Sequence, residues 1–372
     1  MKRSLTKTGS RAIVIYGGYG VFGRLVAEDL LCHTDARLVI AGRDASKAER
    51  CARELGERVT AVMSDIADLA SVKTTIVHAA AVICCAGPFQ TLSTNVLQAA
   101  IECGIPYVDI ADSRTYVNKV YNLETQINQA NVPVLTGLST VPGTSSVLVK
   151  LATAVMDRID TVRIALFMGN KNEKGEAAIR SLVGALGHSM MILRDGADVS
   201  VGVWEGREHV EFPAPIGQRA MYYFDVPDYD LLPRYFGVRT VSFKCGFDVD
   251  LINRFLGCLR IVKRLTGYSV ERWAKTLIGL SWPLAIFGGG QGMLRVEARG
   301  TKDGQLKRFV GTIRADVRGQ RVAAVPAAVA GAAFWRGEIH TGGILPMYEW
   351  IEPKKYLDEL EQRGFHCETH VE

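Results

Sequence analysis

The chain has 372 residues, of which 48% are hydrophobic and 22% are charged, and this composition excludes a disordered or collagen-like protein. The net charge of +5 comes from 44 basic and 39 acidic residues without a run of like charges, so we expect no nucleic acid partner. The eight cysteines form no Cys-x-x-Cys pair, which argues against a zinc site or a disulfide framework.

The amino-terminal third alternates between short apolar runs and segments with helical periodicity. Residues 1–11 contain no apolar stretch of signal length, and we expect a reduced, cytoplasmic chain. The alternation over residues 12–136 is typical of a βαβ series. Buried strands are predicted at 12–16, 38–41, 59–62, 80–84, 107–110 and 132–135. Such a series predicts a doubly wound parallel sheet.

Local signals mark the ends of the intervening helices. Ser46 and Glu49 have the spacing of a capping box, which predicts the start of the second helix. Gly56 and Gly104 stand where the C-terminal glycines of helices are expected.

A glycine-rich loop follows the first predicted strand directly. It consists of Gly18, Tyr19, Gly20, Val21, Phe22 and Gly23. The first glycine allows a tight turn, the second lets the backbone approach a pyrophosphate, and the third lets the next helix pack on the strand. The start of that helix offers free N–H groups and partial positive charge to phosphates. The strand before the loop and the helix after it make this a predicted dinucleotide site.

The residue after the second strand indicates which dinucleotide is bound. An acidic side chain there would accept a hydrogen bond from the ribose 2′-hydroxyl of NAD, whereas this chain has Arg43, a partner for the 2′-phosphate of NADP. We therefore predict NADP(H) as the cofactor. The alternative is that Arg43 is a solvated loop residue and Asp44 a helix cap.

Two further segments are predicted to border the cofactor. Asp65, just past the third strand, is a candidate neighbour of the adenine, or else an N-terminal helix cap together with Ser64. Small residues after the fourth strand let the backbone approach the cofactor where the strand order reverses. These residues are Ala86, Gly87 and Pro88. The preceding pair of cysteines is expected to be core rather than catalytic, since no basic residue adjoins it.

Five motifs together resemble the saccharopine dehydrogenase-like oxidoreductases. They are Gly18-Tyr-Gly-Val-Phe-Gly23, Ala41-Gly-Arg43, Ala86-Gly-Pro-Phe-Gln90, Tyr107-Val-Asp-Ile-Ala-Asp112 and Val141-Pro-Gly-Thr-Ser-Ser146. The resemblance covers the first 150 residues well and the remainder more loosely, where segments are similar to a bacterial subgroup whose substrates are mostly unassigned.

The resemblance implies a Rossmann domain, a following α+β domain, a substrate cleft between them and a hydride delivered by NADPH. The family's cofactor positions map onto Gly18, Gly20, Gly23, Arg43 and the 86–88 turn. It implies no substrate, because the motifs with which the saccharopine-forming enzymes recognise amino-acid carboxylates do not align in residues 151–322.

The length suggests two domains and a tail. We predict a Rossmann NADP-binding domain at 1–145, an α+β substrate and dimerisation domain at 146–322, and a helical segment at 323–372. The predicted fold class is α/β, a doubly wound Rossmann-type parallel sheet with a second α+β domain and a C-terminal segment packing back on the first. We expect a homodimer and a small-molecule substrate.

Asp112 is the candidate catalytic residue. It follows the fifth strand, at the edge where open α/β sheets bind ligands, and is predicted to handle a proton or orient the substrate. A cap for the helix starting near Arg114 is the alternative. Tyr116 is a weaker candidate donor, and Ser145 and Ser146 either face the nicotinamide or begin a helix.

Other polar residues of the chain are not ranked by the sequence. Four residues of the second domain are candidates for anion binding or acid–base chemistry. They are Lys171, Arg180, His188 and Arg219. His366 and His370 have a helical metal-ligand spacing but stand at the end of the chain, so we expect no metal.

Residues 252–287 combine a basic amphipathic segment with an apolar run. A basic amphipathic helix can lie on an anionic lipid surface. The apolar run at 277–287 has about half of the roughly 20 residues that a spanning helix needs. The alternative is a core or dimer-interface helix with a solvated face. The sequence thus allows peripheral membrane contact but predicts no membrane span.

Three functions remain open at this point. The first is an NADP(H)-dependent oxidoreductase that transfers a hydride to or from a C=N, C=O or C=C bond of a small metabolite. The second is a membrane-surface reductase of a lipid or polyketide intermediate, and the third is a non-catalytic NADP-binding sensor.

Overall fold

A computed structural model of the chain describes residues 11–173, 175–267 and 287–372. Its strands are β1 (Ile13–Tyr16), β2 (Leu38–Gly42), β3 (Val59–Met63), β4 (Ala81–Cys84), β5 (Tyr107–Asp109), β6 (Pro133–Leu135), β7 (Arg158–Met168), β8 (Ser189–Arg194), β9 (Ala197–Gly202), β10 (Glu208–Phe212), β11 (Gly217–Tyr223), β12 (Thr240–Phe247), β13 (Gly292–Lys302), β14 (Gln305–Ala315), β15 (Gly343–Ile344) and β16 (His366–Val371).

The α-helices of the described residues follow the same chain order. They are α1 (Val21–His33), α2 (Ala45–Leu55), α3 (Leu69–Ile76), α4 (Asn95–Cys103), α5 (Arg114–Tyr121), α6 (Glu124–Ala130), α7 (Ser145–Ala152), α8 (Glu176–Ala185), α9 (Asp228–Phe236), α10 (Asp250–Thr266), α11 (Arg321–Arg336), α12 (Met347–Trp350) and α13 (Pro353–Gln362).

The first sheet is parallel and doubly wound, as predicted. Its seven strands have the order β15-β6-β5-β4-β1-β2-β3. β1 pairs with both β2 and β4, so the strand order reverses beside β1. The side chains of β1 and β4 are fully buried, because helices cover both faces of the sheet. A ligand crevice is expected at this reversal.

The predicted capping box of the second helix is wrong. α2 begins at Ala45, and the carboxylate of Asp44 accepts a hydrogen bond from the backbone N–H of Lys47. Because the helix begins one residue before Ser46, its hydroxyl is already within the first turn and Asp44 takes the cap. The predicted C-terminal glycines are confirmed, since Gly56 and Gly104 end α2 and α4 with positive φ.

The second sheet is mixed and lies across the carboxyl edge of the first. Its seven strands have the order β10-β11-β12-β7-β13-β14-β16. Only β7 and β12 pair in parallel, and the other neighbours are antiparallel. A separate hairpin of β8 and β9 stands beside it. The α/β fold with a second α+β sheet domain is thereby confirmed.

The C-terminal tail reaches both sheets. α11 packs against α1 and the first sheet so closely that a Cβ on Gly331 would lie 2.9 Å from Ile83. Arg363 is buried and donates to Asp29 of α1 at 3.0 Å. β15 extends the first sheet beside β6, whereas β16 pairs with β14 of the second sheet.

The predicted membrane-contact segment 252–287 is described only in part, because residues 268–286 lie outside the described residues. Within the described ranges, no helix is both long and apolar enough to cross a bilayer. Among the same residues, no group of three His, Cys, Asp or Glu side chains converges as metal ligands would. His366 and His370 lie on a strand rather than a helix.

Candidate active site

The glycine loop is a tight turn held by backbone contacts. Gly17 carries the left-handed backbone, with φ of +72°, and a Cβ there would lie 2.8 Å from the backbone nitrogen of Ala86. A Cβ on Gly23 would lie 2.3 Å from the carbonyl oxygen of Gly17. Close packing between helix and turn therefore requires Gly23, whereas the left-handed turn falls on Gly17 rather than on Gly18.

The loop delivers the start of α1 to the carboxyl edge of the sheet. Gly20 is the N-cap residue of α1 and is exposed, and no side chain caps this helix end. The N–H groups of a first helical turn have no intrahelical partners, and the helix dipole is positive there. This end of α1 is therefore suited to bind phosphate oxygens.

Arg43 follows β2 on the same edge. Its side chain is exposed, and the structure shows no hydrogen bond or ion pair between it and the other described residues. Asp44, by contrast, is occupied as the cap of α2 and by an ion pair of 3.0 Å with Lys47. The Tyr19 ring lies over Gly42, where a Cβ would be 2.5 Å from it. The Arg43 guanidinium thus stands beside the loop without a paired carboxylate among the described residues.

Asp65 stands past β3 and is exposed. Its carboxylate accepts a hydrogen bond from the N–H of Ala67 at 2.9 Å, while Asp68 is the N-cap of α3. Asp65 therefore forms a turn and is not the helix cap that was the alternative. Ser64 is buried and hydrogen-bonds Tyr16, so it does not cap a helix either.

The turn after β4 closes one side of the site. Residues 86–88 pass over the glycine loop, and Gly87 is exposed while Pro88 follows a cis peptide bond. Burial raises the pKa of the Cys84 thiol to about 12, and burial also raises that of Cys85. Both sulfurs are thus protonated, weak nucleophiles, in agreement with a packing role.

A single cleft joins the cofactor edge to the face of the second sheet. It has a volume of about 290 Å³. Phe22 of the glycine loop, Pro88 and Asp112 line it from the first sheet, and residues of α8 cover it. The opposite wall is formed by side chains of β7 and β12 together with two residues of the segment after β11. They are Leu166, Phe167 and Met168 of β7, Phe243, Cys245 and Phe247 of β12, and Phe224 and Val226 after β11.

The cleft is apolar and, among the residues described, no lysine, arginine or histidine lines it. The four polar candidates of the second domain lie elsewhere. Arg180 pairs with Glu176 at 2.8 Å and Arg219 with Asp248 at 3.4 Å, while Lys171 and His188 are exposed. The charged residues that do line the cleft are Asp112 and Glu173.

Asp112 faces the cleft and does not cap α5. The N-cap is Ser113, whose hydroxyl accepts from the N–H of Tyr116 at 3.4 Å. Asp112 is exposed to solvent at the cleft, and the protein atoms packed around its carboxylate raise its pKa above the ordinary value. This is the behaviour of a carboxyl group that can hold and release a proton.

Neighbouring polar groups position the strand ends around Asp112. The carboxylate of Asp109 is fully buried and accepts from the N–H groups of Ala111 and Gly137 at 2.9 and 2.8 Å. Burial raises its pKa to about 6. Tyr116 is buried and hydrogen-bonds Tyr107 at 2.8 Å, away from the cleft lining. Tyr116 therefore packs rather than donating to a ligand.

The loop before α7 brings a second buried carboxyl group near the cleft. Thr140 lines the cleft, whereas the hydroxyl of Ser145 donates to Asp228 at 2.5 Å. Asp228 is fully buried, and its Oδ2 atom has no hydrogen-bond partner among the residues described. Burial raises its pKa to about 7. No local sequence pattern predicts this pair, since 83 positions separate the two residues.

The residues present fit a bound NADP(H). The uncapped start of α1 suits the pyrophosphate, and the unpaired guanidinium of Arg43 suits the 2′-phosphate. Phe22 and Pro88 lie between this edge and the cleft, where the nicotinamide end would reach.

Known proteins resemble the chain in the sequence of its first domain and in its fold. Residues 13–135 match the model of the saccharopine dehydrogenase NADP binding domain family. Apo saccharopine dehydrogenase (L-Glu forming) from Saccharomyces cerevisiae is similar in structure, with a TM-score of 0.68 and 15% identity over 98% of this chain and 100% of that chain. A myo-inositol dehydrogenase from Corynebacterium glutamicum ATCC 13032 aligns with a TM-score of 0.45 and 13% identity over 96% of this chain and 99% of that chain. No curated protein matches the sequence.

Proposed function

We propose that this chain, whose residues 13–135 match the model of the saccharopine dehydrogenase NADP binding domain family, is an NADP(H)-dependent oxidoreductase. Its reaction is hydride transfer to or from a C=N, C=O or C=C bond of an uncharged, largely apolar metabolite. The observation that carries the proposal is that Phe22 of the cofactor loop and Asp112 line one cleft.

The first domain binds and orients the cofactor. The backbone N–H groups at the start of α1 would hold the pyrophosphate, and Arg43 would pair with the 2′-phosphate. When bound, NADPH supplies the hydride, which is chemistry that no protein side chain provides. The 86–88 turn approaches without bulky side chains, so its backbone can lie against the nicotinamide ribose.

Asp112 supplies the proton that accompanies reduction. Its raised pKa keeps the carboxyl group protonated at a higher pH than an aspartate that is fully surrounded by water. In the reducing direction the group donates its proton to the acceptor atom that gains electrons. In the oxidising direction the carboxylate takes the proton back. The apolar side chains of β7 and β12 offer water no hydrogen-bond partner on their side of the cleft.

The lining determines the class of acceptor. A carboxylate or phosphate moved from water into this cleft would lose its hydration and, among the described lining residues, find no cation. Apolar surface buried in the cleft contributes about 25 cal/mol per Å² instead. An uncharged acceptor with an aliphatic or aromatic body is therefore favoured over an amino or 2-oxo acid.

Steady-state oxidation of NADPH by a panel of acceptors tests this proposal. Neutral aldehydes, ketones, enones and imines with apolar bodies are compared with 2-oxo acids of equal carbon number. We expect kcat/KM to be about 100-fold higher for the neutral members, which corresponds to about 2.7 kcal/mol of carboxylate desolvation. Turnover of the acids alone would contradict the substrate class. NADPH binding without turnover of any member would indicate a sensor rather than an enzyme.

A further inference from the structure

Helix α10 exposes a continuous row of apolar side chains. It packs on the protein through Asn253 and Leu256, which are buried. Residues three or four positions apart share one face of a helix, and the face opposite Leu256 is apolar along its length. The members of this row, the apolar stripe, are Leu251, Phe255, Cys258, Val262 and Leu265.

The apolar stripe differs from ordinary exposed apolar residues. Leu251, Phe255 and Leu265 are 61%, 50% and 80% exposed. Its members span about 21 Å at 1.5 Å per residue. Leu306 and Val317 are also strongly exposed, but polar or charged neighbours flank each of them in the sequence. Single exposed apolar side chains are normal, whereas a contiguous patch marks an interaction surface.

Arg254 and Arg264 of α10 are exposed near the stripe, whereas Arg260 and Lys263 lie on the side of the helix that packs against the protein. α10 and the side chains paired with it hold five basic groups and two acidic groups. The basic groups are Arg207, Arg254, Arg260, Lys263 and Arg264. Asp250 pairs with Arg207 and Arg254, and Glu205 pairs with Arg260 and Arg264. Among the described residues of this region, five positive and two negative charges leave a net positive charge.

We propose that α10 docks the protein on an anionic phospholipid surface, with the apolar stripe in the boundary between headgroups and acyl chains. A helix with an apolar face and basic residues beside it binds in the plane of such an interface. Buried apolar area supplies one part of the binding free energy, and attraction between basic side chains and anionic lipid supplies the other.

The docked helix borders the cover of the cleft. The Lys263 amine donates to the carbonyl oxygens of Val183 and Gly184 at 3.1 and 2.5 Å, at the end of α8. Ser181 and Leu182 of α8 line the cleft. Docking would therefore bring α8, which covers part of the cleft, close to the lipid surface, with α10 between them.

Vesicle flotation tests the docking with the full-length protein. Wild type is mixed with phosphatidylcholine vesicles that contain or lack phosphatidylglycerol, at low and high salt. We expect flotation with the anionic vesicles only, and less of it at high salt. The combined variant Leu251→Ser, Phe255→Ser and Leu265→Ser is expected to float about tenfold less. The matched control, Leu306→Ser with Val317→Ser, is expected to float like wild type.

NADPH titration and circular dichroism show that each variant is folded, and gel filtration reports its oligomeric state. Failure of wild type to float would overturn the proposal. So would equal flotation of the stripe variant, which would locate lipid binding elsewhere. If wild type does not float and the stripe variant changes from a dimer to a monomer, the stripe is an interface with a second copy of the chain and not a lipid-binding surface. Equal binding to neutral vesicles would remove the role of the basic residues.

Discussion

The two walls of the cleft differ in polarity: one presents backbone N–H groups and a positive charge, and the other presents apolar side chains. The cofactor wall consists of glycines, backbone N–H groups at the start of α1 and one unpaired guanidinium. The opposite wall consists of aromatic and aliphatic side chains on β7 and β12. A charged ligand is held by fixed dipoles and complementary charge, whereas an apolar ligand is held by removal of its surface from water. Each wall therefore predicts a different response to mutation.

The largest effect is expected at the cofactor wall from Gly23→Ala. The new Cβ would lie 2.3 Å from a backbone oxygen that cannot move without opening the turn. We expect NADPH affinity, measured by calorimetry, to fall by more than about 100-fold. Gly257→Ala is the matched control, since a Cβ there meets no atom within 4 Å. Normal affinity in Gly23→Ala would contradict the assigned loop.

Asp112→Asn separates proton transfer from cofactor binding. Loss of a positioned acid costs about 10²–10⁴-fold in rate, so we expect kcat for reduction to fall within that range while the Kd of NADPH is unchanged. In wild type, kcat should fall as pH rises through the raised pKa of Asp112, because the acid form is then lost. Glu173→Gln, which also changes a carboxylate of the cleft lining, serves as the control. Equal losses in both variants would exclude a special role for Asp112.

Arg43→Ala sharpens the contrast between the two nicotinamide cofactors. A hydrogen bond to a charged group contributes about 1.5–3 kcal/mol, so NADPH affinity should fall by about 10- to 150-fold. NADH affinity should hardly change, because NADH lacks the 2′-phosphate. Arg53→Ala removes another exposed arginine, from the last turn of α2, and should alter neither affinity. An equal loss for both cofactors would mean that Arg43 does not contact the 2′-phosphate.

Phe224→Ala addresses the apolar wall. Truncation of a partly buried phenylalanine in the cleft should cost about 1.5 kcal/mol of acceptor binding, or about tenfold in KM. The Kd of NADPH should stay constant. Phe236→Ala is the control, because the Phe236 side chain is also partly buried but packs on Tyr348 outside the cleft. A change of NADPH affinity without a change in KM would place Phe224 on the wrong wall.

Because its pKa is raised, Asp228 is expected to make the free energy of unfolding depend on pH, rather than the binding of a ligand. Its pKa is about 7 in the folded chain against 3.8 as the ordinary value, so the folded state binds the proton more tightly than the unfolded state. The contribution to the unfolding free energy is complete below about pH 4 and is lost as pH rises towards 7. Asp228→Asn should flatten this part of the stability curve measured in urea. An unchanged slope would show that Asp228 is ionised when folded.

The cofactor half was readable in the sequence because its signals are local. Strand, glycine spacing and helix start follow one another within the span from Ile13 to His33. The capping box predicted at Ser46 was wrong because a second local cap signal, Asp44, lies two positions earlier and takes the N-cap of α2. The apolar wall could not be predicted from the sequence, because Phe167 and Phe243 belong to β7 and β12, which are distant in sequence and meet only in the folded sheet. The pair of Ser145 and Asp228 likewise exists only in the folded chain.

The central claim is that cofactor and acceptor meet in one cleft at Asp112. An electron-density map of crystals grown with NADP⁺ tests it most directly. The account predicts the pyrophosphate at the start of α1, the 2′-phosphate on Arg43 and the nicotinamide C4 atom facing the cleft, between Asp112 and the wall of β7 and β12. A nicotinamide that points away from this cleft, or a dinucleotide bound elsewhere, would contradict the account.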